Sequence, residues 1–241
     1  MAREGAVLVL KTGDALPPVK AARGDFAEWI AKGMGVAENA LAVANVHERD
    51  PLPDPSSISG VVVTGSPAMV TDRADWSEAS AAWLAKLVEA DALPVLGICY
   101  GHQLLAHALG GEVGANPNGR EMGTVEVRHD VDAIGDDPVL TGAVEPGHMS
   151  HLESVLRPPS DARVLGTTDL EAHAALQFGP RQWGVQYHPE FDRDIMQGYI
   201  EARREVLTKE GLDPDAMMGR AVETPVLTTI LGRFAAFAAK G

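Results

Sequence analysis

Residues 94–109 place the tightest constraint on how this chain folds. An apolar run, Pro94-Val95-Leu96-Gly97-Ile98, reads as a buried strand, and Gly101 to Leu109 reads as a helix. Almost no loop separates them. Between them stand Cys99 and Tyr100, giving Gly97-Ile98-Cys99-Tyr100-Gly101. So tight a turn strains the backbone at its centre and requires small residues two positions to either side. It also puts the cysteine at the carboxyl edge of a sheet, where open α/β sheets bind ligands. The helix that starts there favours a thiolate. A lone cysteine is ordinarily a small buried hydrophobe, but two flanking glycines in a strand-to-helix turn favour a nucleophile.

The surrounding pattern is that of an α/β domain. Strands are expected at 6–11, 41–46, 58–64 and 94–98, the third with the doubly buried run Val61-Val62-Val63. Helices are expected at 25–34, 75–90 and 101–109, the second with Trp76, Ala79, Trp83 and Leu87 on one face. From Val113 to Gln186 the runs shorten and are broken by Gly, Pro and Asp, as in an added, partly antiparallel sheet. Strands are expected there at 124–131, 163–167, 172–178 and 183–186. From about residue 192 the chain reads as mainly helical, with Ile195, Tyr199 and Val206 near one face and Val226, Ile230, Phe234 and Phe237 on a later one. A single domain spanning 1–241 is expected, with the helical extension as core cover in preference to a lid or docking face.

Composition excludes several classes. With 34 Asp and Glu against 20 Lys and Arg the net charge is −14, which repels phosphate backbones and argues against a nucleic-acid partner. No apolar run reaches a membrane span. Cys99 is the single cysteine, so no internal disulfide can form, and a reducing, cytoplasmic setting is expected. No G-x-x-x-x-G-K-[ST] phosphate loop occurs, and no histidine pair has zinc-site spacing. Neither a cofactor nor a metal is expected. His47, His102, His107, His129 and His173 are read as structural.

A thiolate nucleophile needs a base, and the base an orienter. His188-Pro189-Glu190 follows the apolar run Trp183 to Tyr187. In extended chain, i and i+2 face the same way, so His188 and Glu190 can serve one site, with Pro189 stiffening the spacing.

Together, Gly97-Ile98-Cys99-Tyr100-Gly101-His102-Gln103, Gly184-Val185-Gln186-Tyr187-His188-Pro189-Glu190-Phe191 and Val61-Val62-Val63-Thr64-Gly65-Ser66-Pro67 resemble the class I (triad) glutamine amidotransferase family. The resemblance covers most of residues 1–191 and looks nearest to the stand-alone GMP-synthase-like group. It implies a three-layer, flavodoxin-like fold: a mostly parallel open sheet flanked by helices, with added antiparallel strands. It further implies a cysteine-dependent amidohydrolase with Cys99, His188 and Glu190 as catalytic residues. The oxyanion hole would be made by backbone N–H groups of Tyr100 and of the Gly65–Ser66 turn, Ser66 standing where the family often has a second glycine. Gln103, Ser150 and His151 resemble substrate-contacting positions. The implied substrate is glutamine, with ammonia passed to a synthetase or transferase partner. A γ-glutamyl hydrolase or peptidase, and a non-catalytic regulatory module on the same scaffold, are the alternatives.

Overall fold

The computed structural model describes residues 5–240. Its first half follows β1 (Ala6–Lys11), α1 (Pro17–Arg23), α2 (Phe26–Met34), β2 (Ala42–Asn45), β3 (Ile58–Val63), α3 (Asp75–Glu89), β4 (Val95–Ile98) and α4 (Tyr100–Ala108). The middle holds β5 (Glu112–Ala115), β6 (Glu121–His129), α5 (Val131–Ile134), β7 (Val144–His151), β8 (Glu153–Arg157), β9 (Arg163–Thr167), β10 (Ala175–Gly179) and β11 (Gln182–Val185). Four helices follow: α6 (Arg193–Ala202), α7 (Arg204–Lys209), α8 (Pro214–Arg220) and α9 (Pro225–Ala238).

Among the described residues the main sheet runs β2-β1-β3-β4-β11-β10-β9-β6-β7, and β5 pairs with β8 in a separate ribbon. The pairs from β2 through β11 are parallel, as expected for a doubly wound α/β core. From β11 outward every pair is antiparallel. The parallel core with added antiparallel strands is therefore as the sequence suggests.

Strand alternation sorts the core into two layers. Val9, Val62, Leu96 and Trp183 face one side with Phe26, Ile30, Ile230 and Phe234 of α2 and α9. Leu8, Leu10, Val61, Val63 and Val95 face the other, with Leu84 of α3 and Leu104 and Leu105 of α4. Leu227, Ile230, Leu231 and Phe234 of α9 are buried in the first layer, so the apolar stripe of this helix is core.

Several local expectations change. The inner face of α3 is Ser77, Ser80, Ala81, Leu84 and Leu87, whereas Trp76 and Trp83 are half-buried and Ala79 is exposed. The buried serines are satisfied, Ser77 by the Tyr100 hydroxyl at 2.6 Å and Ser80 by the Trp76 carbonyl at 2.7 Å, so they tolerate a core position that their polarity disguises. The strand expected at 124–131 begins at Glu121, and strands at 144–151 and 153–157 appear where none is expected. The first C-terminal helix breaks at Arg203, which leaves Val206 exposed and buries Leu207 instead.

No helix among the described residues is long and apolar enough to cross a membrane.

Candidate active site

The turn at Cys99 is strained as its sequence requires. Cys99 has φ 49° and ψ −101°, a region that L side chains rarely adopt, and its backbone N–H is pinned to the Val185 carbonyl at 2.8 Å. Its glycine neighbours allow α4 to start at once. A Cβ on Gly97 would run into the backbone of Gly101 and His102, and one on Gly101 would run into the Val63 carbonyl. Cys99 is nearly buried, and its Sγ faces the Ser150 carbonyl of β7 at 3.9 Å.

β11 leads into His188 and Glu190. The His188 N–H donates to the His148 carbonyl at 2.8 Å, tying this segment to β7. The ring is stacked on Phe191, with centroids 4.1 Å apart and planes 16° from parallel, and Phe26 lies parallel to it at 6.5 Å. Its Nδ1–H donates to Glu190 Oε1 at 2.7 Å, which leaves Nε2 for Cys99, which lines the same lobe of the cavity as the ring. Burial alone would lower the His188 pKa. The Glu190 carboxylate and Cys99 outweigh it and raise the value to about 10, so the imidazolium is the favoured form.

Gly65 and Ser66 follow β3 and border the same space. The Ser66 hydroxyl donates to the Thr12 carbonyl at 2.8 Å and accepts the Ala68 N–H at 3.1 Å, so its side chain is held by the loop after β1. Thr12 Oγ1 also donates to the Gly65 carbonyl at 3.1 Å. The strapped turn shows how serine is accommodated at this position. Tyr100 opens α4, where a first-turn backbone N–H has no intrahelical acceptor.

Two small lobes of the cavity meet at Cys99. One runs past Gln103, Ser150 and His151; the other runs past His188, Phe26 and Tyr199. Gln103 is buried, and its amide donates to the Glu153 carbonyl at 2.6 Å and to Gln186 Oε1 at 2.9 Å. The His151 side chain is engaged beneath the lobe, bonding the Glu153 carbonyl at 2.9 Å and Glu121 Oε2 at 3.2 Å. Glu121 also accepts from Thr168 Oγ1 at 2.6 Å, while Arg120 pairs with Glu210. Ser150 offers its backbone carbonyl to the sulfur.

Other residues at the site are not among the expected contacts, although His148 lies in the same segment as Ser150 and His151. Glu153 accepts from the N–H of Val70 at 2.9 Å and from the Thr71 hydroxyl, holding the loop over one lobe. His148 is buried beside His188; burial first and His188 second lower its pKa to about 4, and its Nδ1 meets Thr124 Oγ1 at 3.1 Å. Arg203 borders both lobes. The five histidines read as structural lie elsewhere: His129 bonds the Tyr187 hydroxyl at 3.1 Å, His173 the Val155 carbonyl at 2.6 Å, His47 the Lys11 carbonyl at 3.0 Å, and His107 Glu78 at 3.0 Å. His102 is wholly buried against Gly184 and Phe178. No group of three or more His, Cys, Asp or Glu among the described residues is placed to hold a metal ion.

A strained cysteine at a strand-to-helix turn, sharing a cavity with a histidine held by a carboxylate, has the make-up that thiol-dependent acyl transfer on an α/β sheet calls for. The family model for class-I glutamine amidotransferase matches residues 23–202, and the chain belongs to that family. Relatives include the glutamine-hydrolyzing GMP synthase of Aeropyrum pernix, 39% identical over 151 residues, which are 59% of this chain and 27% of that protein. The glutamine-hydrolyzing GMP synthase of Paraburkholderia phymatum is 35% identical over 175 residues, 70% of this chain and 32% of that protein. The chain thus spans about a third or less of these relatives. Among solved structures, a glutamine amidotransferase from Thermotoga maritima superposes with a TM-score of 0.77 at 20% identity, covering 99% of this chain and 100% of the other. One from Methylobacillus flagellatus gives 0.69 at 22% identity, covering 96% and 92%. These two likenesses bear on the fold.

Proposed function

We propose that the chain hydrolyses the side-chain amide of glutamine and passes the ammonia to a partner that activates an acceptor. The observation that carries this reading is the meeting of Cys99 and the Glu190-held His188 on one cavity at the carboxyl edge of the parallel strands.

The thiolate of Cys99 attacks the amide carbon, and the C=O electrons move to oxygen. The backbone N–H groups of Tyr100 and of the Gly65–Ser66 turn stabilise that oxyanion. When the C–N bond breaks, the His188 imidazolium gives its proton to the departing nitrogen, and ammonia leaves a γ-glutamyl thioester. Neutral His188 then takes a proton from water, hydroxide adds to the thioester carbon, and the C–S bond breaks to release glutamate and the thiolate. Glu190 keeps Nδ1 protonated and the ring in line throughout. Ser150 and His151 border the glutamyl side mainly through backbone, and Gln103 forms its floor.

The GMP synthase names of the relatives support a nucleotide-activating synthetase as the partner. A free nucleophilic thiol fits a cytoplasmic setting.

The test is glutamate release from glutamine, and separately from a γ-glutamyl peptide, with Cys99→Ala as blank. Release from glutamine that Cys99→Ala abolishes supports the reading. Release from the peptide alone overturns it in favour of a γ-glutamyl hydrolase.

A further inference from the structure

Arg203 sits at the break between α6 and α7, one residue beyond the segment that the family model matches. It is the one cation bordering both lobes of the cavity at Cys99, among the described residues. Its Nη1 is buried and has no hydrogen-bond partner. Its guanidinium lies 5.5 Å from the centroid of the Tyr199 ring, and no carboxylate among the described residues is within ion-pair distance of it. Its neighbours show how unusual that is. Arg120, the other arginine at the cavity, is held by both oxygens of Glu210 at 2.8 and 3.1 Å, and Arg204 by Glu201 and Asp215 at 2.7 and 2.9 Å. In a chain of net charge −14, a half-buried guanidinium left without a counter-ion is a costly arrangement unless something else supplies the anion.

The Cys99 thiolate acts electrostatically on Arg203 as well as on His188, but its charge is lost when the γ-glutamyl thioester forms, so it is no lasting counter-ion. The scissile amide is neutral and is directed to the sulfur and the backbone donors. The remaining anionic group of an amino-acid substrate is its α-carboxylate, a planar two-oxygen acceptor that fits the fork of an arginine. We propose that Arg203 reads the α-carboxylate of the substrate, and so restricts the site to free α-amino acids carrying a γ-amide. This rests on the glutamine reading above. It also gives the helical extension a part in the site, since the break after α6 is what turns Arg203 inward.

The test uses two electrophiles on Cys99 and needs no turnover. 6-Diazo-5-oxo-L-norleucine keeps the amino-acid end of glutamine; iodoacetamide lacks it. The ratio of their labelling rates is measured in wild type, Arg203→Met, Arg203→Gln, Arg203→Lys and Arg204→Met. The ratio should fall at least about tenfold in the Met and Gln variants, as for loss of a charge-assisted bond, recover in part in Lys, and keep its wild-type value in Arg204→Met. Where turnover is measurable, KM for glutamine should rise while kcat holds. A ratio preserved in both Arg203→Met and Arg203→Gln, whether both rates fall together or neither does, overturns the proposal. If wild type reacts with iodoacetamide and not with the diazoketone, the glutamine reading itself fails and the role of Arg203 falls with it.

Discussion

Gly65 lacks a side chain where His188 needs room: a Cβ at position 65 would lie 3.0 Å from Cε1 of the imidazole and 3.5 Å from Phe26. The turn after β3 and the histidine after β11 are thus packed directly on each other, although more than a hundred residues separate them. Gly65→Ala should push the ring off its line between Cys99 and Glu190. A displacement of about 1 Å at such a site can cost about 100-fold in rate, and a few tenths of an ångström a smaller factor. We expect kcat to fall at least about tenfold, with urea unfolding showing a loss of no more than about 1–2 kcal/mol. Full activity in a folded Gly65→Ala would contradict this packing.

The strain at Cys99 is measurable apart from its chemistry. With φ at 49°, a residue with no Cβ should be more comfortable there than any other. Cys99→Gly should therefore unfold at higher urea than Cys99→Ala, by roughly 1 kcal/mol, while both lose turnover. Equal stabilities would show that the turn relaxes when the thiol is removed.

Glu190 sets the charge on His188. Removing it with Glu190→Gln leaves burial less opposed, so the histidine should lose its proton at lower pH. The alkaline limb of kcat/KM, or the imidazole titration seen by NMR, should move down from about 10 by at least about one unit. Turnover should suffer more in His188→Ala than in Glu190→Gln, because orientation is worth less than proton transfer. The reverse order would contradict the assignment of base and orienter.

His102 and His148 act on stability in the acid range. Burial lowers His102 to about 3 and, with His188, His148 to about 4, whereas the unfolded chain titrates near the ordinary 6.5. Their neutral forms therefore stabilise the fold above about pH 6.5, and that contribution drains away as pH falls toward 4. His188 has the opposite sign: its contribution is complete below about 6.5 and is lost as pH rises through about 10. Urea unfolding at pH 7 and pH 5 should show a loss approaching about 1.4 kcal/mol per pH unit for each buried neutral histidine. His102→Leu should flatten that slope; an unchanged slope would contradict the buried-neutral state.

The sequence discloses the strand-to-helix turn at Cys99 because the two glycines answer a local steric demand, and the parallel core because Val61 to Val63 and Pro94 to Ile98 have no other stable place. It hides the outer strands. β7 and the start of β8 carry His148, His151 and Glu153, polar residues that read as loop but are buried with hydrogen bonds to neighbours, His148 with Thr124, His151 with Glu121 and the Glu153 carbonyl, and Glu153 with Val70 and Thr71. The same masking rotates the expected face of α3, where Ser77 and Ser80 lie inside. Arg203 has no local signature at all: only the cavity at Cys99 and the lack of a counter-ion distinguish it from Arg204 next to it.

The most direct test of the central claim is mass spectrometry of the protein quenched in acid during incubation with glutamine. The account predicts that the peptide containing Cys99 becomes heavier by one γ-glutamyl group, that the adduct is absent from Cys99→Ala, and that it disappears on neutral incubation as glutamate is released. Glutamate release with no adduct on Cys99, or undiminished release by Cys99→Ala, would contradict it.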